Sequence, residues 1–167
     1  MPHPVSTLGA IHTAVSVATF VAGLYSYARH HQIEPREPVA RGYLFGMLVS
    51  VLTAFGLSST GGFNVGHALG ILALLVVGAA LVIPKLSLLG RARPCLAQLA
   101  FAFSFFLLLV PGINETLTRL PSGQPLADGP ESPLVRGALA GWLGIFVVGA
   151  AVQACWIRLQ RRRAPAL

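Results

Sequence analysis

Five apolar runs, at residues 5–27, 42–57, 64–83, 94–110 and 134–157, fill most of this chain. A helix crossing a hydrocarbon layer needs about 20 apolar residues, with roughly 17 to 25 tolerated. Four runs meet that length; the second is the shortest and borrows Arg41 and Ser58 at its ends, the arginine snorkelling outward. No run alternates as a barrel strand does, and an open strand would leave its backbone unsatisfied in lipid, so the runs are read as helices. The fold class expected is an all-α integral membrane protein, an antiparallel four-helix transmembrane unit plus a fifth transmembrane helix, forming one domain over residues 1–167. The 23-residue connection at 111–133, rich in proline, sets the fifth helix apart. Composition agrees: 54% of residues are hydrophobic and 10% charged, where a soluble domain carries about a quarter. A soluble enzyme is excluded.

The charges give an orientation. One face collects Arg29, Arg36, Arg41, Lys85, Arg91, Arg93, Arg158, Arg161, Arg162 and Arg163, whereas the other holds only Arg119 and Arg136. The positive-inside rule puts the first face in the cytoplasm, the N-terminus outside and the C-terminus inside. The net charge of +7 is spread in short clusters between apolar runs, which encodes topology rather than nucleic-acid binding. Arg158, Arg161, Arg162 and Arg163 are read as anchors beside anionic lipid of the bilayer. The N-terminal Met1-Pro2-His3-Pro4 has no basic n-region, so the first run is expected to be retained as a helix. Cys95 and Cys155 fall near cytoplasmic ends, where thiols stay reduced.

Polar residues at membrane depth are the candidates for chemistry. His12 lies early in the first run and His67 early in the third; both runs point inward from outside, so the two imidazoles share the outer leaflet. On diagonal helices of a four-helix unit they could meet at a common ligand. Ser16 and Asn114 are expected to support them. If the fourth helix continues past Pro111, Glu115 joins His12 and His67 as a two-His-one-carboxylate set suited to a transition metal. Without it, two neutral histidines suit axial ligation of haem b or hydrogen bonding to a quinone. The alternative is a neutral histidine bonded to a helix carbonyl or hydroxyl, and Glu115 paired with Arg119. His3, His30 and His31 belong to chain ends and the interface, while Trp142, Trp156, Tyr25 and Tyr27 read as an aromatic belt. Small residues recur every four positions at Gly42, Gly46, Ser50 and Ala54, with Gly66 and Gly70 on the third helix and Gly137 and Gly141 on the fifth. Such stripes are packing seams, within the chain or against another subunit.

The stretch from Ala40-Arg41-Gly42-Tyr43-Leu44-Phe45-Gly46-Met47 into Leu52-Thr53-Ala54-Phe55-Gly56, followed by Gly61-Gly62-Phe63-Asn64-Val65-Gly66-His67, carries a resemblance. It is similar to the bacterial membrane proteins grouped as domain-of-unknown-function family 2306. Over about residues 8–121 the resemblance also takes in His12 and the sequence Asn114-Glu115-Thr116 running to Arg119-Leu120-Pro121. It implies a helical membrane protein of the bacterial inner membrane and draws attention to His12, His67 and Glu115. Members often carry a His-Arg pair before the second helix, where this chain has Pro38-Val39-Ala40-Arg41, and another before the fourth, replaced here by Arg91-Ala92-Arg93. The family has no established activity to lend.

Phosphate loops, Gly-x-Ser-x-Gly elbows, His-Glu-x-x-His and Cys-x-x-Cys are absent, as is an intramembrane Asp or Lys chain. Three expectations follow. The first is a cofactor-binding or electron-transfer protein in which His12 and His67 hold haem, a metal or a quinone near the outer face. The second is a small accessory subunit of a membrane complex, docking through its glycine-rich faces with no catalysis of its own. The third is a carrier for a small solute.

Overall fold

A computed structural model describes residues 6–57, 62–121 and 124–163, with the side chains of Arg162 and Arg163 outside the description. Val5, Ser58 and Gly61, named above at a run end or in a motif, lie outside the described residues, as does His3. The helices are α1 (Thr7–His30), α2 (Pro38–Phe55), α3 (Val65–Val82), α4 (Arg93–Arg119) and α5 (Pro133–Arg163), with short 3-10 stretches Ile83–Lys85 and Ser87–Ala92 before α4. Among the described residues there is no strand. Each of the five helical segments is long and apolar enough to cross a membrane.

Local chemistry sets the boundaries. The Ser6 side chain accepts from the Gly9 N–H at 3.1 Å and starts α1, which His31 closes in the left-handed region at φ 59°. Pro38 occupies the first turn of α2, where its missing N–H costs nothing, so this helix begins four residues before the apolar run and Arg41 lies within it. α4 is not stopped by Pro111. It runs on to Arg119, although Pro111 offers no N–H to the Leu107 carbonyl one turn back. Asn114 and Glu115 therefore stand on a helix rather than in a loop.

α1 packs chiefly on α2, α3 on α4 and more lightly on α2, and α5 on α4. The small residues explain the closest approaches. A Cβ on Gly46 would overlap Thr19 Oγ1, and one on Gly70 would sit 3.0 Å from Val51. Ser16 of α1 donates to Ser50 of α2 at 3.2 Å, on the same seam. The stripe on α2 thus serves α1, although Gly42 faces open space. The core joins Tyr43 and Met47 of α2, Ala73, Val77 and Ala80 of α3, and Phe101, Phe105 and Leu107 of α4. The buried hydroxyls of Tyr43 and Ser104 are satisfied in sequence: Ser104 donates to the Phe101 carbonyl, so the Tyr43 hydroxyl donates to Ser104 Oγ at 2.8 Å.

α5 differs. No residue of its most apolar stretch is buried within the chain, and a Cβ on Gly137, Gly141, Gly144 or Gly149 would meet nothing within 4 Å. Trp142 lies against α4, its indole N–H donating to the Phe106 carbonyl at 3.0 Å and its ring meeting those of Phe105 and Phe106. At the other end Trp156 meets His31 edge-on, and Gln153 donates to the His31 carbonyl at 3.0 Å. The turn after α1 is thereby held by α5.

Candidate functional site

His12 is half-buried on α1, with Nδ1 2.9 Å from Thr53 Oγ1 of α2. The Thr53 hydroxyl hydrogen is directed to the carbonyls of Val49 and Ser50, at 2.8 and 3.0 Å. Its oxygen is therefore the acceptor, and the His12 proton sits on Nδ1. This leaves the Nε2 lone pair, which has no hydrogen-bond partner among the described residues.

His67 is 5% exposed and more fully engaged. Asn64 caps α3: its side chain accepts from the His67 N–H at 3.1 Å, while His67 Nδ1 accepts from the Asn64 N–H at 3.3 Å. This is a capping box, with histidine at the position where Glu or Gln usually reaches back. On the other side of the ring, Nε2 lies 3.2 Å from the Ala54 carbonyl, which can only accept, so Nε2 carries the hydrogen. The ring stacks on Phe55 at 4.7 Å and 6°, with Phe63 tilted at 5.7 Å. Both nitrogens of His67 are spent inside the fold.

The structure thus brings the two histidines to consecutive residues of one helix, Thr53 and Ala54, at the last turn of α2. Each imidazole spends a nitrogen on that turn. Ser16, expected to support the imidazoles, bonds to Ser50 instead. Glu115 pairs with Arg119 one turn on, and both side chains are more than half exposed. Asn114 Oδ1 is buried with no partner among the described residues. The structure does not bring His12, His67 and Glu115 together as a metal set: among the described residues no three His, Cys, Asp or Glu side chains are placed to hold a metal ion. The reason is local. The capping box and the stack on Phe55 fix the ring of His67, while the i to i+4 spacing gives Glu115 a cation on its own helix.

Of the arginine anchors, Arg158 is exposed and Arg161 donates to the Arg91 carbonyl. Cys95 and Cys155 are free thiols. Thr53 and Ala54 were not identified from sequence as partners. For His67 a signal was present, since Asn64-Val65-Gly66-His67 has the spacing of a capping box.

What this end of the molecule offers chemically is one imidazole lone pair, on His12. A second imidazole ligand would require His67 to give up either its cap or its bond to Ala54. Set against protein-family models, curated proteins and solved structures, the chain has no match.

Proposed function

We propose that this chain is a non-catalytic accessory subunit of a membrane complex, docking through α5. The observation that supports it is how the glycines are used. Gly46 and Gly70 are filled by Thr19 and Val51, whereas Gly137, Gly141, Gly144 and Gly149 open on empty space along an exposed helix. Small residues on the open side of a spanning helix permit the close backbone approach by which helices associate in lipid. In this reading α1–α4 form an antiparallel four-helix unit in the bacterial inner membrane, akin to family 2306, with α5 on its flank. The excess of cations at one end supports a C-terminus in the cytoplasm and an N-terminus outside. His12 and His67 are clamps on α2. The test is mild-detergent purification from native membranes. One partner should co-purify at constant stoichiometry and be lost in Gly141→Leu, whose own fold should persist because position 141 is exposed and a Cβ there meets nothing within 4 Å. A chain that runs alone, or a partner retained by Gly141→Leu, would overturn the proposal.

A second reading is favoured by the unspent Nε2 of His12. That nitrogen could supply one ligand to haem or a metal, or accept a hydrogen bond from the hydroxyl of a reduced quinone. Absorption spectra, metal analysis and quinone affinity decide it: His12→Ala should abolish the signal while His67→Gln keeps it. Protein that is colourless and metal-free, with quinone affinity indifferent to His12→Ala, would exclude this reading.

A further inference from the structure

At the basic end, the turn after α1, the 3-10 stretches and the first turns of α4 enclose a cleft of about 740 Å³, closed on one side by the end of α5. Its wall carries Arg36, Lys85, Arg93 and Arg161 against a single carboxylate, Glu34. Among the described residues none of these cations forms an ion pair; the two ion pairs present, Glu115 with Arg119 and Glu131 with Arg136, involve none of them. Arg93 Nε donates to the Gly90 carbonyl at 2.9 Å and Arg161 to that of Arg91, which braces both side chains on the backbone of the rim. Arg93 and Pro94 of the first turn of α4 also line the cleft, and the positive end of that helix dipole favours an anion.

A second feature is independent of charge. Gln98, 8% exposed, lines the same cleft. Its Nε2 donates to the Ile33 carbonyl at 3.1 Å, which fixes the orientation of the amide. Its Oε1 is buried with no partner among the described residues. Burying an unmet acceptor is unfavourable, so this oxygen calls for a donor. Four cations ask for an oxyanion and a buried carbonyl asks for a hydroxyl or amine.

We infer that this cleft binds a phosphoryl group carrying a free hydroxyl, the headgroup chemistry of an anionic glycerophospholipid such as phosphatidylglycerol. Guanidinium groups match phosphate oxygens by their forked geometry, and basic pockets between membrane helices hold anionic headgroups. The cleft lies between helix ends, where a headgroup can reach it while its acyl chains follow the exposed apolar faces. The inference does not depend on the accessory-subunit reading and would survive its failure.

The full chain in detergent micelles, titrated with phosphatidylglycerol and followed by native mass spectrometry, should retain one lipid. The variant Arg36→Gln/Lys85→Gln, altered only at exposed residues, should bind it about tenfold more weakly or worse, the effect expected for losing charge-assisted contacts. Arg119→Gln/Arg136→Gln removes equal charge from the opposite end and should bind as the parent does. Gln98→Leu should weaken phosphatidylglycerol but leave phosphatidic acid, which lacks the headgroup hydroxyl, unaffected. Soluble glycerol phosphate separates the sources: binding as tight as the lipid's marks a soluble ester, and much weaker binding marks the membrane lipid. Equal losses in the two double variants, or no loss in either, would overturn the inference.

Discussion

Replacing His67 by alanine tests whether this residue is a structural clamp. Three contacts are lost: the bond from the Asn64 N–H to Nδ1 at 3.3 Å, the bond from Nε2–H to the Ala54 carbonyl at 3.2 Å, and the stack on Phe55 at 4.7 Å. Each is worth about 1 kcal/mol net, so the variant should be less stable by about 3 kcal/mol. Glutamine discriminates further. It can restore the reach-back bond of the capping box but neither the stack nor the Ala54 bond, so His67→Gln should lose about 2 kcal/mol. Asn64→Ala removes the other bond of the box, and its effect should be less than additive with that of His67→Ala, because each of the two bonds helps hold the geometry of the other. Reversible unfolding in mixed micelles, followed by circular dichroism, measures all four variants. Equal stability of His67→Ala and the parent, or strict additivity with Asn64→Ala, would refute the clamp.

Three other outcomes follow from the packing. Gly46→Ala should lose about 2 kcal/mol of stability, because the new methyl overlaps the stiff Thr19 side chain, while Gly42→Ala should be neutral or better; unfolding midpoints of the pair check this. Tyr43→Phe leaves one acceptor site of Ser104 unmet in the core and should cost about 1 to 2 kcal/mol in the same assay. Glu115→Gln breaks only an exposed i to i+4 ion pair and should change stability by less than about 1 kcal/mol, measured at low and high salt.

The helices were legible because hydropathy is a property of consecutive residues. Runs 5–27 and 64–83 correspond closely to α1 and α3; the start of α2 moved because Pro38 suits a first turn, and α4 and α5 run on where polar residues continue a helix beyond its apolar part. The seam on α2 was legible as well, since four-residue spacing places small residues on one face. Its neighbour was not: nothing in Gly46 names Thr19, and nothing in Gly141 says that its side will stay open. The candidate site divides the same way. Type and depth singled out His12 and His67. The partners that fix their protons, Thr53 Oγ1 and the Ala54 carbonyl, lie 41 and 13 residues away in the chain.

The basic cleft is the clearest case. The cations of residues 29–41, 84–93 and 158–163 could be counted by side from the sequence, because alternate connections of a multi-span chain face the same way. That Arg36, Lys85, Arg93 and Arg161 line a single cleft around the buried Gln98 amide depends on how α1, α4 and α5 meet at that end. Hydrophobicity acts on each segment alone and is written locally. Proton positions, open helix faces and converging charges arise from contacts between distant segments, and only the packed chain decides them.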